Sequence, residues 1–446
     1  MISVTNKIDC CGCSACSSRC PKHCISMVED QEGFLYPQID VSECIDCGLC
    51  EKVCHELHPC PERSPLDVYA AINKDEDVRL RSSSGGIFYL LAEQTISAGG
   101  VVFGARYDSK WQAVLDYTED MSGVSAFMGS KYFQASTGTA FIDAEVFLKQ
   151  GRRVLFSGSP CQIAGLHQFL RKDYENLTTV DFLCHGIPSP KVWRLYLNEV
   201  VTAGQHVTDV KFRNKDNGWK KFNFVLSVDD SGKKVRLSSF HQQNHYMRAV
   251  LSNMILRPSC SDCRAKLGRS QSDITIADFW GVNIEMPHMD DDKGTGLVLV
   301  YTEKGRAALD WSKIVYEDTS IEIASKYNGG FFPRLKVHPK RDVFFSQLDT
   351  TPSIIGLIEK CLRPSLYRRA RHLAWRSKQF IKKLLKGQIG GGKRMVVIPQ
   401  SPVILLPKDD LFITGVSFRN KRYGWKSYFM EITLKPKSSS CNDVND

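Results

Sequence analysis

Cys10-Cys11-Gly12-Cys13-Ser14-Ala15-Cys16-Ser17-Ser18-Arg19-Cys20-Pro21 is followed by a near-copy, Cys44-Ile45-Asp46-Cys47-Gly48-Leu49-Cys50-Glu51-Lys52-Val53-Cys54. Each run spaces its thiols as Cys-x2-Cys-x2-Cys-x3-Cys. Three thiolates at i, i+3 and i+6 on a tight loop reach three irons of one cubane, and the fourth iron needs a thiolate from elsewhere. Zinc prefers two separated Cys-x2-Cys pairs, which fits the two triple-plus-one runs poorly. A disulfide framework is disfavoured because nothing before Cys10 reads as a signal peptide. The spacing therefore predicts two 4Fe–4S clusters, single-electron transfer and a reducing environment. Cys11, Cys24 and Cys60 fall outside the pattern and read as packing or spare thiols, with Cys11 beside Cys10 leaving the ligand choice open. Short strands are expected at 24–28 and 34–39.

The two runs resemble those of bacterial-type two-cluster ferredoxins, with His55 in place of the proline that often follows the last Cys. The resemblance implies a crossed arrangement, in which the fourth Cys of each run serves the other cluster. Cys10, Cys13, Cys16 and Cys54 then hold one cluster, and Cys44, Cys47, Cys50 and Cys20 the other. Residues 1–62 are expected to form this small domain.

The 446 residues suggest two or three domains. The hydrophobic fraction of 42% suits a globular protein, and no stretch approaches the roughly 20 apolar residues of a bilayer span. The formal charge is +10, yet 360–386 alone carries ten Lys or Arg and no Asp or Glu. The remainder is near neutral, which argues against a general nucleic-acid-binding surface. A cytoplasmic location follows as an expectation, with peripheral contact at the inner membrane face through 360–386 as an option.

After a Pro-rich linker (Pro59 to Pro65), strand-like runs (68–72, 100–104, 153–156, 178–183) alternate with helix-like runs (86–97, 136–149, 161–172, 190–202). This predicts βαβ units, a partly parallel sheet and an α/β (α+β mixed) fold class for 66–345. Ser157-Gly158-Ser159-Pro160-Cys161-Gln162 lies between one such strand and helix, and the next strand leads to Leu183-Cys184-His185-Gly186. In a βαβ unit both thiols come to the carboxyl edge of the sheet, where open α/β sheets place ligands. With Cys260 and Cys263 of a Cys-x2-Cys pair, Cys161 and Cys184 would hold a third 4Fe–4S cluster. A nucleophilic Cys161 at a helix start, structural zinc and plain buried thiols are the competing readings.

Ser82-Ser83-Ser84-Gly85-Gly86 precedes an apolar helix and would cradle a phosphate or merely cap that helix. Gly129-Ser130-Lys131-Tyr132 places a lysine in a second small-residue loop. Trp280, in Asp278-Phe279-Trp280-Gly281, would line a flat cofactor or close the core. Asp290 to Gly296 reads as a tight acidic turn, since a Walker loop would precede a helix. No Gly-x-Gly-x-x-Gly stands between a strand and a helix, so a Rossmann nicotinamide site is not supported.

The motifs Phe156 to Leu166, Cys184 to Pro190, Arg257-Pro258-Ser259-Cys260-x2-Cys263 and Ser272-Asp273-Ile274-Thr275-x2-Asp278 to Gly281 resemble the beta subunit of coenzyme F-420 hydrogenases and dehydrogenases. Ser84-Gly85-Gly86 and Gly129 to Tyr132 are similar to the amino-terminal part of that family. The likeness runs from about 66 to 340. It implies an iron–sulfur flavoprotein with FAD and one cluster in this region, fused to the two-cluster unit. Ser84, Gly85, Gly86, Gly129, Ser130, Lys131, Gly158 and Trp280 would contact the flavin, with His185 and Lys131 near its reacting end. Expected partners are a small organic substrate and a redox protein, either a ferredoxin or another oxidoreductase subunit. The alternatives are a non-catalytic electron-transfer subunit and an accessory protein of polysaccharide biosynthesis.

Two features stand apart. Phe212-Arg213-Asn214-Lys215-x2-Gly218-Trp219-Lys220 recurs as Phe418-Arg419-Asn420-Lys421-x2-Gly424-Trp425-Lys426, and each copy reads as a β-hairpin within a domain or, for the second, within the extension 394–446. The repeat is a duplicated structural hairpin or a pair of sites for one ligand type, such as an anionic sugar. Residues 355–386 form an expected basic amphipathic helix, with Leu362, Leu366, Ala370, Leu373, Phe380 and Leu384 on one stripe, suited to a membrane surface, an acidic partner or packing on the main domain.

Overall fold

The structure is a computed structural model that describes residues 1–363 and the backbone of two strands further on, 411–420 and 428–436. It divides into two compact units, Met1–Arg363 and Pro364–Asp446. In chain order the strands are β1 (Ile25–Glu29), β2 (Leu35–Ile39), β3 (Asp67–Asn73), β4 (Val101–Tyr107), β5 (Ala113–Thr118), β6 (Val154–Gly158), β7 (Leu177–Phe182), β8 (Gln205–Asn214), β9 (Asn223–Asp230), β10 (Lys233–Phe240), β11 (Ile274–Asp278), β12 (Gly296–Val300), β13 (Ile314–Asp318), β14 (Leu411–Asn420) and β15 (Tyr428–Pro436).

An eight-stranded mixed sheet, ordered β13-β3-β12-β11-β7-β6-β4-β5, organises the first unit. Its centre is parallel, β4 to β6 to β7 to β11, and its flanks are antiparallel. The central strands carry apolar residues toward both faces, as a sheet covered on both sides requires. Val101, Phe103, Val154 and Phe156 point one way, into a core shared with helices Ala140–Lys149 and Pro160–Leu170. Val102, Leu155, Val180 and Ile274 point the other way, onto helix Ile87–Ser97. The fold class is α/β. The expected helix at 136–149 begins only at Ala140, because Ser136 is used in a bridge to Val114 and Thr137 is turned onto Cys13 O.

A three-stranded antiparallel sheet, β8–β10, packs with helices Pro190–Val200, His245–Leu251 and Ile354–Leu362 around Trp193, Phe212, Phe224 and Tyr246. The first copy of the repeated motif lies at the end of β8, where Asn214 faces Asn223 of β9. In the second unit β14 and β15 also pair antiparallel, and Asn420, the matching residue, faces Tyr428. The motif's remaining residues there, Lys421 to Lys426, lie outside the described residues. So do the stripe beyond Arg363 and the greater part of the expected basic helix.

Residues 1–62 form a third layer on the side of helix Pro160–Leu170, with Ala15, Val53 and Cys13 in the shared core. Arg257, 1% exposed, ties this layer down. Its guanidinium donates to Cys10 O (2.8 Å), Gln134 Oε1 (3.0 Å) and Leu35 O (2.9 Å), and it lies 4.3 Å from the Tyr36 ring centroid. Arg341 grips Glu32 and Leu256 O in the same way. Arg257→Met strands two buried carbonyls and an amide oxygen, so the urea midpoint should fall by the equivalent of about 3 kcal/mol. Arg257→Lys should recover only part of this, because one ammonium lacks the planar fork.

Candidate functional site

The two opening runs share one unusual backbone shape. In the first, Gly12 and Ser14 flank Cys13 with φ of 71° and 69°; in the second, Asp46 and Gly48 flank Cys47 with φ of 50° and 70°. Ser14 and Gly48 then each start a short helix carrying the third Cys. A left-handed non-glycine residue costs about 1–2 kcal/mol, a cost borne by Ser14 in one run and Asp46 in the other, and the repeated positive φ points to a functional constraint. The turn folds three thiols inward around one point.

The thiols sort into groups. Cys10, Cys13, Cys16 and Cys54 lie close enough to act on one another: burial first, then Cys13 and Cys10, hold Cys16 well above its ordinary range, burial lifts Cys54 to about 11, and a hydrogen bond with Cys11 holds Cys13 well below its own. Cys20, Cys44, Cys47 and Cys50 all line a second cavity, walled by Ile25, Ile39, Ile45 and Leu49. Thus the fourth Cys of each run sits with the other run's triplet. Cys24, set aside by its spacing, also lines this cavity, with Sγ 3.4 Å from Cys20 Sγ.

Cys161 begins helix Pro160–Leu170 directly after β6, and Cys184 follows β7, its parallel neighbour. Cys260 and Cys263 come to the same place, where Cys184 feels Cys260, Cys161 and Cys263 and is held well above its ordinary range, chiefly by burial. Burial lifts Cys260 to about 12 and Cys263 to about 11. Ile187 N donates to Cys260 Sγ at 3.3 Å.

Between the first and third groups sit two residues that spacing passed over. Cys11 and His55 are buried, with Cys11 Sγ 3.0 Å from His55 Nε2, and the ligand atoms of Cys11, Cys13 and His55 lie within 4.8 Å of one another. A hydrogen bond with Cys11, and then one from Ser159, brings Cys161 to about 7 against burial. Burial opposes charge on His55, but its hydrogen bond with Cys13 and the surrounding anions more than offset this and raise it to about 9. Gly165, one turn beyond Cys161, permits the approach: a Cβ there would meet Cys13 Sγ at 2.8 Å.

The expected flavin loops also converge. Ser83 Oγ and Ser130 Oγ are 2.8 Å apart. Lys131 Nζ donates to Met128 O and Gly129 O and sits 5.2 Å from the Tyr107 ring centroid, and burial alone lowers it to about 7. Nearby Tyr107 Oη and Arg213 Nε are buried without a partner. Arg213 pairs with Asp278 (2.6 Å) and reaches Tyr132 Oη, while Trp219 stacks on Trp280 at 4.7 Å and 3° and donates to Asp278. Lys215 donates to Ser84 O, Arg79 O and Lys293 O. The repeated motif is therefore, in its first copy, a brace that joins both loops. Trp280 is half-buried in that brace. Gly85 is pressed to β3, where a Cβ would come 2.4 Å from Ala71 O. Gly86 has φ 81° and caps the helix start, Gly129 is open, and Gly158 ends β6 beside Gln162. His185 is not with them: exposed, it meets Asn253 Oδ1 at 2.6 Å and its neighbour Gly186 adjoins Cys260. Asp290–Asp292 forms the tight acidic turn, holding Lys220 and Arg79.

Residues 151–322 match the family described as the carboxyl-terminal region of the coenzyme F420 hydrogenase/dehydrogenase beta subunit. The match spans well under half of the chain. It contains Cys161, Cys184, Cys260 and Cys263, together with the Arg213 brace. A solved structure titled "Xenon derivatization of the F420-reducing [NiFe] hydrogenase complex from Methanosarcina barkeri" is similar at 16% identity, over 67% of this chain and 91% of that chain, with a TM-score of 0.39. A search of curated proteins gave no match. Among the described residues no helix of this beta-subunit-like protein is long and apolar enough to cross a membrane.

Asp181, 3% exposed on β7, accepts from Thr275 Oγ1. Burial raises it to about 6, opposed by hydrogen bonds from Ser270, Thr275 and Ser272. The fold holds this proton more tightly than the unfolded chain, so its contribution is full below about pH 4 and is lost as pH rises through about 6. Asp181→Asn should gain on the native protein by up to about 3 kcal/mol between those values and hold a constant margin above pH 7, as read from paired urea midpoints. Gly165→Ala should displace Cys13 and lower the iron bound after anaerobic reconstitution.

Proposed function

We propose that the protein is an iron–sulfur flavoprotein oxidoreductase, in which three 4Fe–4S clusters and FAD relay electrons between a partner protein and a small organic substrate. The observation that carries this reading is the sorting of twelve cysteines into three groups of four, of which Cys47 alone is exposed. Cys10, Cys13, Cys16 and Cys54 would hold the middle cluster. Cys20, Cys44, Cys47 and Cys50 would hold the outer one, and Cys161, Cys184, Cys260 and Cys263 the inner one. The donor sets fit, each offering four thiols, with Cys24 a fifth at the outer group and Cys11, His55 and Glu56 beside the middle one. The outer group, with Cys47 at the surface, is where a redox partner exchanges single electrons. The family match over the inner region favours redox work over a structural zinc site.

FAD, when bound, converts the substrate's two-electron change into single-electron steps. The chain's part is to bind and orient it. Lys131, lacking a carboxylate partner, together with the partnerless Arg213 Nε and Tyr107 Oη, suits a phosphate-bearing cofactor beside the loops at Ser83 and Ser130. Lys215 and Trp219 keep those loops in register. His185 stands nearer the inner thiols, a position suited to proton supply there.

Anaerobic isolation should yield about twelve irons per chain, a flavin spectrum, and bleaching by dithionite. Cys184→Ser should lose about four irons and keep the rest. A folded, colourless, iron-poor protein overturns the proposal. Lys131→Met should lower FAD occupancy at least tenfold with iron content unchanged. Turnover of an organic substrate with reduced viologen separates an enzyme from a non-catalytic carrier, and iron without flavin favours the accessory role.

A further inference from the structure

Cys11 belongs to none of the three groups of four, yet it stands between two of them. It is buried, and its main chain is pinned on both sides: Gln134 Nε2 donates to Cys11 O at 3.3 Å, and Arg257 Nε donates to Cys10 O at 2.8 Å. The Cys11 thiol is therefore held in place. Its Sγ lies 3.0 Å from His55 Nε2, and both atoms lie within 4.8 Å of Cys13 Sγ. The same thiol hydrogen-bonds with Cys13 on one side and with Cys161 on the other. Cys161 and Gly165, four residues apart, share one face of helix Pro160–Leu170. A Cβ on Gly165 would meet Cys13 Sγ at 2.8 Å, so the middle group is pressed against the helix that carries the inner group's first thiol.

His55 follows Cys54 directly and is 2% exposed. Its Nε2 is 3.8 Å from Glu56 Oε1. Arg264, the neighbour of Cys263, closes the other side: its Nε is 3.8 Å from Glu56 Oε2, and its Nη1 donates to Glu56 O at 2.6 Å. The acid at this junction thus has its own cation, and the thiol and the imidazole are left facing sulfur. A thiol outside the ligand sets keeps its S–H as a donor. A donor aimed at a ligand sulfur draws electron density from the cluster and favours its reduced form, which raises the potential.

We propose that Cys11, oriented by His55, is a positioning residue shared by two clusters: its S–H, set between Cys13 of the middle group and Cys161 of the inner group, raises the reduction potential of both. The inference rests on the iron–sulfur reading given above and adds a residue that tunes it. The test is a redox titration of the full chain, isolated anaerobically and followed by electron paramagnetic resonance, with iron counted on the same samples. Cys184→Ser and Cys47→Ser assign the inner and outer midpoints by the signal each one alters. Cys11→Ala should keep about twelve irons. Its middle and inner midpoints should each fall by at least tenfold in the one-electron equilibrium constant, about 59 mV, with the outer midpoint unmoved. Cys11→Ser, which restores a donor, should recover at least half of the fall. If Cys11→Ala fails to fold, His55→Phe removes the ring nitrogens beside the thiol and should lower the same two midpoints. Unmoved midpoints, a shift confined to one group, or an equal fall in Cys11→Ser overturns the inference, as does a loss of about four irons in Cys11→Ala, which would make Cys11 a ligand. Iron-loaded protein whose midpoints ignore Cys11 sinks the shared donor alone, whereas folded but iron-free wild-type protein sinks the redox reading and the donor with it.

Discussion

One buried guanidinium holds the cysteine-rich layer and the α/β body in a single arrangement. Arg257 donates to a main-chain carbonyl beside Cys10 and stands three residues before Cys260. The same side chain thus fixes the distance between thiols of two groups that are far apart in sequence. Its hydrogen bonds go to neutral oxygens and to Cys10 Sγ (3.7 Å), with Tyr36 covering its face. Movement of either layer would leave both the cation and the carbonyls without partners in a low-dielectric interior, which is why the interface behaves as core and not as a hinge.

The repeated Phe-Arg-Asn-Lys…Gly-Trp-Lys segment does comparable work at the other expected cofactor loops. Arg213, Lys215 and Trp219 each reach a different piece of chain: Asp278, Ser84 and Trp280. None of these contacts needs a ligand to explain it. The first copy is consistent with a structural brace to three partners.

Spacing carried the strongest readings. The triple-plus-one runs marked the eight thiols while the likeness to two-cluster ferredoxins supplied their crossed grouping, and the strand–helix–strand pattern around Cys161 placed Cys184 beside it, because parallel neighbours present their carboxyl ends together. What spacing could not carry was anything decided by packing between distant segments. Cys11 and His55 looked spare or incidental, since nothing local tells that Gly165 lets a helix close over them. Cys24 reaches Cys20 through a turn in which His23 takes a positive φ. His185, grouped with Lys131 by motif, is carried by a different loop with different neighbours.

Among the twelve grouped thiols only Cys47 is exposed, and each group keeps at least one buried sulfur: Cys20 and Cys50, Cys16, and Cys184. A peroxide or oxygen molecule arriving from solvent therefore meets Cys47 first. Corrosion would begin at that one sulfur, so that a briefly aerated molecule loses its connection to the outside before it loses its interior.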